Sequence, residues 1–267
     1  MKSTFQLLAL TLLLSFYSLG HAQTGLDVTP PRTYYTSAAG ATTVNKIKVS
    51  NPSKSTSLTL SVSVNDWEYD QNGSNVIAEA GTLKNSAAHW ISIKPQSYIT
   101  LAPGESQDVE ITVTPPAKKF DSLNVHTALV FITQTNPVDS HDEKGSLIKI
   151  SLRSGVKIYH RYNDELLPNV AFSDYQYNNK LKKLELSIAN NGNTWTDGTV
   201  VTELVNQTDG TQVKLEDQII YTLPGDERIV GIPIPAVLKP GKYIATSTFS
   251  YGDDDTIKMA ELTFSHD

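Results

Sequence analysis

Short stretches of strict alternation between apolar and polar residues recur along the chain. They include Lys46-Ile47-Lys48-Val49, Leu58 to Val64, Val109 to Val113 and Leu184 to Ile188. A period of two sends successive side chains to opposite faces of an extended backbone, so each run predicts a half-buried β-strand. Thr, Val, Ile and Tyr, which pack well on a pleated surface, are frequent. Turn-forming pairs punctuate the runs: Asn51-Pro52, Asn72-Gly73, Pro103-Gly104, Asn191-Gly192, Asp209-Gly210, Pro224-Gly225 and Pro240-Gly241. No long stripe of helical period interrupts them. Many short strands with regular turns predict an all-β chain of antiparallel sandwiches.

One segment departs from this pattern. Met1-Lys2 carries a positive charge, an apolar run extends from Leu7 to Tyr17, and Gly20-His21-Ala22 puts small residues three and one before a cleavage point. That order is expected of a secretory signal, and the run is too short for a comfortable membrane span. Cleavage after Ala22 leaves 245 of the 267 residues. No later stretch is apolar and long enough to span a membrane. An immunoglobulin-like sandwich takes about 100 residues, so the mature chain is expected to hold two. Asn163-Asp164-Glu165 interrupts the β pattern and Pro168 restricts the backbone after it. The expected division is a signal peptide over 1–22, a first domain over 23–162 and a second over 163–267. A theme repeats across it: Leu101-Ala102-Pro103-Gly104-Glu105 is echoed by Leu223-Pro224-Gly225-Asp226-Glu227.

Charge and composition narrow the function. With 22 Lys+Arg against 28 Asp+Glu the formal net charge is −6, which argues against a nucleic-acid binder needing a basic stripe. There are 0 Cys, so disulfides, thiolate metal sites and Cys nucleophiles are excluded, and the fold must be held by core packing. The motifs of serine hydrolases, zinc proteases, P-loop enzymes and dinucleotide binders are absent. The histidines at 21, 89, 126, 141, 160 and 266 are scattered. Asp253-Asp254-Asp255 reads as a solvated turn, because adjacent residues at a hairpin tip point in different directions and no alternating calcium loop is present. Trp67, Trp90 and Trp195 read as packing anchors. Neither catalytic residue, metal nor cofactor is expected.

Several stretches together carry a family resemblance. Leu26 to Tyr35 resembles the first strand of PapD-like periplasmic pilus-assembly chaperones, as does Val44 to Asn51 followed by Ser61 to Trp67. His89 to Pro95 followed by Leu101 to Gln107 looks like another segment of that family. Ile148 to Arg161, with its Val156-Lys157-Ile158-Tyr159-His160-Arg161 end, looks like the last strand of the family's first domain. The resemblance implies two immunoglobulin-like β-sandwich domains in an angled, boomerang arrangement. It implies a periplasmic chaperone that completes pilus or fimbrial subunits by donor-strand complementation. On this pattern Arg32 and Lys157 fall where the family anchors a subunit's terminal carboxylate, Ile148, Ile150 and Leu152 where it donates apolar side chains, and Arg161 in an interdomain ion network. The partners implied are pilin-like subunits and an outer-membrane usher.

Elementary chemistry is compatible with that mapping. The chain has only four arginines, at 32, 153, 161 and 228, and a planar guanidinium suits a carboxylate that accepts two parallel hydrogen bonds. If Ile148 to Leu152 lies at a sheet edge, its free N–H and C=O groups can pair with a partner chain. The sequence departs from the family at His126, where an acidic residue is usual, and at Pro30-Pro31. The short connection from Asn136 to Gly145, without a Cys pair, points to the short-loop branch associated with rod pili. Two alternatives remain open: a secreted structural or adhesive protein of two sandwiches, and a carbohydrate-binding module with an exposed Trp platform.

Overall fold

The computed structural model describes residues 25–95, 98–119, 121–141, 144–252 and 256–267. The expected leader and the Asp253-Asp254-Asp255 turn lie outside them. Before residue 163 run β1 (Asp27–Thr29), β2 (Arg32–Ser37), β3 (Thr43–Ser50), β4 (Leu58–Tyr69), β5 (Asn75–Ala78), β6 (Ile91–Lys94), β7 (Tyr98–Leu101), β8 (Ser106–Val113), β9 (Val125–Gln134), β10 (Val138–His141), β11 (Leu147–Ile150) and β12 (Arg153–Tyr162). After it run β13 (Val170–Asn178), β14 (Lys183–Asn190), β15 (Thr196–Asn206), β16 (Gln212–Lys214), β17 (Gln218–Thr222), β18 (Glu227–Pro233), β19 (Gly241–Tyr251) and β20 (Thr256–His266). The all-β class expected from the alternation is the class that forms.

The first sandwich packs sheet β1-β3-β8-β6 against sheet β2-β12-β9-β4-β5, with β7 also on β4. Between them lie Val28, Ile47, Val49, Leu60, Ile111, Val130, Ile158 and their neighbours. The second packs β13-β14-β18 against β16-β15-β19-β20, with β17 also on β15, around Leu184, Leu186, Val200, Ile232 and Phe249. No strand of one sandwich pairs with a strand of the other among the described residues.

The repeated Pro-Gly theme is a shared loop built on a buried asparagine. In the first sandwich the Asn51 side chain donates to the carbonyls of Thr56, Leu101 and Ala102, and Gly104 N–H donates to the Asn51 carbonyl. In the second, the Asn190 side chain donates to the Thr194 carbonyl and Thr222 Oγ1, and Gly225 N–H donates to the Asn190 carbonyl. Buried carbonyls must find donors, and the two N–H bonds of an asparagine amide supply them, shared at Asn51 among three acceptors.

Three features of the first sandwich shape its contact with the second and its free edge. Pro30-Pro31 sits where the chain leaves one sheet for the other. β1 pairs antiparallel with β3 and β2 pairs parallel with β12; prolines give no N–H to a ladder, so they suit that crossing. β9 lies between β12 and β4 and is buried over nearly its whole length. Alternation then sends Ala128, Val130 and Ile132 into the core between the sheets. Val125, Leu129 and Phe131 go to the opposite face, against Trp67 and Tyr159 of the same sheet and Leu223 of the second sandwich. Finally, β10 and β11 form a separate two-stranded ribbon.

Candidate functional site

The outer face of the sheet containing β2, β12 and β4 is where the expected site residues meet. In the parallel pairing of β2 with β12, Arg32 stands directly opposite Lys157. Because side chains alternate, Arg32, Tyr34, Lys157, Tyr159 and Arg161 share one face while Tyr35, Val156 and Ile158 enter the core. Two charges that are far apart in sequence thus become cross-strand neighbours.

Aromatic rings of both sandwiches enclose them. Tyr34 stacks on Tyr159 with ring centroids 5.0 Å apart, and Trp195 of the second sandwich lies 5.4 Å from Tyr34 and 5.8 Å from Tyr159. The Arg32 guanidinium lies 4.2 Å over the Tyr221 ring. Lys157 Nζ donates to the Tyr69 hydroxyl at 3.0 Å and sits 3.9 Å over the Trp67 ring. A cation over a ring face gains from the ring quadrupole, more so when water is excluded. Tyr34, Tyr69, Tyr159, Trp195 and Tyr221 surround a void of about 10 Å³, enough for one water. The seam is closed by a backbone bond between the sandwiches, Ile229 N–H to the Gln71 carbonyl at 2.7 Å.

The electrostatics of this seam suit an anion. Neither Arg32 nor Lys157 forms an ion pair among the described residues. Burial pushes the Lys157 ammonium down to about 8, and the nearby Arg32 and Arg228 guanidiniums add to the fall. Arg32 Nε is buried with no acceptor among the described residues. An arriving carboxylate would satisfy this donor and offset the repulsion between the cations.

The single strand expected from Ile148 to Arg161 is broken in two. β11 ends at Ile150 and β12 starts at Arg153. Gln134 causes the break. Its side-chain carbonyl accepts the Leu152 N–H, its backbone N–H donates to the Leu152 carbonyl, and its own carbonyl accepts the Ser151 hydroxyl. Leu152 is therefore tied down and half-buried, while Ile148 and Ile150 are 39% and 41% exposed. Among the described residues β11 pairs only with β10, with Val138 opposite Ile150 and Ser140 opposite Ile148. Its other edge leaves N–H and C=O groups outside any ladder, and its apolar side chains stand beside them.

Arg161 takes no carboxylate among the described residues; its guanidinium lies 4.8 Å over Trp195 and its Nε donates to Thr36 Oγ1. The reason lies in the pairing. Arg161 stands opposite Val125 on the seam face, whereas His126 stands opposite His160 and faces the core. There the two buried histidines meet Trp90 and Tyr162. His160 Nε2 pairs with the Ser37 hydroxyl at 2.9 Å and His126 Nε2 with Asp121 at 3.3 Å.

These histidines give stability a pH dependence. Burial, then His126 and Lys119, hold His160 down to about 4, and burial lowers His126 against the pull of Asp121. The folded chain keeps these rings neutral where the unfolded chain protonates them near pH ~6.5. Stability is thus full above that value and falls as pH drops towards 4, by about 1.4 kcal/mol per unit for each proton bound only on unfolding. Asp226, raised to about 6 by burial, acts in the opposite direction, so the slope is read as a difference. Urea midpoints between pH 7 and 4 should fall more steeply for the wild type than for His160→Gln; parallel profiles would exclude His160 as the source.

Arg228 and the two tyrosines that organise the cleft, Tyr69 and Tyr221, are not among the residues singled out from the sequence. A signal for Arg228 exists. It occupies the inward parity of β18, in step with buried Val230 and Ile232, a position where an arginine requires a reason.

No protein-family model and no curated protein matches the sequence. The crystal structure of the YadV chaperone superposes with a TM-score of 0.50, at 11% identity, covering 90% of this chain and 99% of that one. The chain shares the fold of that chaperone. The E. coli chaperone DraB superposes at 0.48 with 15% identity, over 91% of this chain and 98% of that one. A chain of the CsuC–CsuE chaperone–tip adhesion subunit pre-assembly complex from the archaic chaperone-usher Csu pili of Acinetobacter baumannii superposes at 0.47 with 12% identity, over 89% of this chain and 97% of that one. Within this fold the seam between the sandwiches carries the cation cluster, and the β10–β11 ribbon stands apart from both cores. No helix among the described residues is long and apolar enough to cross a membrane.

Proposed function

We propose that this protein is a periplasmic chaperone for pilin-like subunits and that it works by lending them a strand. Residues 23–162 and 163–267 act as two domains, and the cleft between them anchors the subunit's terminal carboxylate on Arg32 and Lys157. β11 then pairs along the subunit's unfilled groove, with Ile148 and Ile150 as the inserted side chains and Leu152, held by Gln134 in the free protein, following them in the same donor segment. The observation that carries this reading is the combination of cross-strand cations at the seam with a strand edge, unpaired among the described residues and bearing exposed isoleucines, two residues before β12. An exposed apolar edge invites aggregation unless a partner covers it. Export through the leader and delivery of the loaded subunit to an outer-membrane usher complete the proposal.

Amide hydrogen exchange tests it. In the free protein the outward-facing amides of 147–150 should exchange rapidly, and adding a pilin-like subunit that lacks a strand should slow them at least a hundredfold. Exchange that is slow in the free protein, or unaltered by the subunit, would sink the strand-lending mechanism. The competing reading, an adhesive or structural protein of two sandwiches, predicts no such change.

A further inference from the structure

We propose that Arg228, on β18 of the second sandwich, is a third binding residue of the cleft, so that the carboxylate is held from both sandwiches at once. This rests on the carboxylate-anchor reading and adds a residue to it. Arg228 is only 9% exposed. Its Nη1 donates to the Tyr221 carbonyl at 2.6 Å, and its guanidinium lies 4.7 Å over the Tyr69 ring. Tyr221 therefore carries Arg32 on its ring and Arg228 on its carbonyl, while Tyr69 carries Arg228 on its ring and Lys157 at its hydroxyl. Two tyrosines bind three cations into one cluster.

Two observations point to an anionic ligand for this cluster. The Nε–H groups of Arg32 and Arg228 are both buried and both without an acceptor among the described residues. Unmade donors on two charged groups are a standing penalty unless an acceptor arrives. None of the three cations forms an ion pair among the described residues. The carboxyl of Asp226, two residues away, is engaged with its own turn, accepting the Leu223 N–H at 2.7 Å. Space for Arg228 is also specifically provided. Gly73, at φ +85°, closes the β4–β5 turn directly against the Arg228 Nη2, where any Cβ would collide with it.

The test uses two synthetic heptapeptides of alternating valine and threonine, one ending in a free carboxylate and the other in an amide. Each is titrated by NMR at low ionic strength, where charge contacts are least screened. The ratio of the two dissociation constants is the readout. In the wild type the carboxylate peptide should be favoured at least tenfold. Arg228→Gln should cut that preference about tenfold, as Arg32→Gln does, and Arg228→Lys, which keeps the charge but not the fork, should fall between. If Arg32→Gln abolishes the preference and Arg228→Gln leaves it intact, Arg228 merely pins the β4–β5 turn and the inference is overturned while the anchor stands. If the wild type shows no preference, the anchor reading itself fails. Should Arg228→Gln not fold, Arg228→Lys decides: an undiminished preference overturns the fork's role, and a reduced one supports it.

Discussion

Ile150→Asp is expected to abolish subunit binding, weakening it by at least a hundredfold, while leaving the free protein folded. In the free protein Ile150 lies on a ribbon outside both cores, is 41% exposed and stands opposite Val138 across the hairpin. A carboxylate there stays hydrated and disturbs little. In the proposed complex the same side chain enters an apolar groove. The exchange then loses the roughly 1.5–3 kcal/mol that burying an isoleucine contributes and adds the larger cost of an unpaired buried charge. Lys149→Asp is the control, because position 149 points to the opposite side of the strand. Affinity for a strand-deficient subunit and the thermal midpoint would be measured side by side. Binding by Ile150→Asp within threefold of wild type would remove β11 from the mechanism, and an equal loss in Lys149→Asp would reduce the effect to net charge.

Arg32→Ala is expected to weaken subunit binding at least tenfold with a nearly unchanged melting temperature. A charge-assisted hydrogen bond to a carboxylate contributes about 1.5–3 kcal/mol. The side chain lies over Tyr221 at the seam and outside the main cores, and its removal relieves repulsion on Lys157. A second signature comes from Lys157, whose ammonium is held down to about 8 by burial and by Arg32 and Arg228. A carboxylate prefers the charged amine, so binding should be strong at pH 7 and weaken as pH rises through about 8 to 9. In Arg32→Ala the residual pH dependence should move to higher pH, because one of the groups depressing Lys157 is gone. Titration calorimetry across that range checks both. Unchanged affinity would take Arg32 out of the site, and a flat profile would do the same for Lys157.

The strand pattern and the two-sandwich class were legible because alternation reports directly on which face of a strand is buried, as at Leu184 to Ile188 and Val109 to Val113. The parity of Lys157, Tyr159 and Arg161 could be read in the same way. The break at Ser151-Leu152 could not. Its cause is Gln134, seventeen residues before Ser151 on another strand, whose amide replaces the ladder bonds there. Arg161 resembled a member of an ion network, yet the register of β12 on β9 turns it towards Trp195 and turns His126 into the core.

By itself the sequence determined the local chemistry: extended backbone where apolar and polar residues alternate, sharp turns at Asn51, Pro103-Gly104 and Pro224-Gly225, and freedom from disulfides. Only the tertiary structure decided which charges meet. Arg32 and Lys157 become neighbours through a parallel pairing that local sequence does not encode, and Arg228 joins them only because β18 docks on the turn after β4. Strand periodicity fixes the face on which a side chain emerges, but register and docking depend on packing between segments far apart in the chain, and those contacts place three cations around two tyrosines.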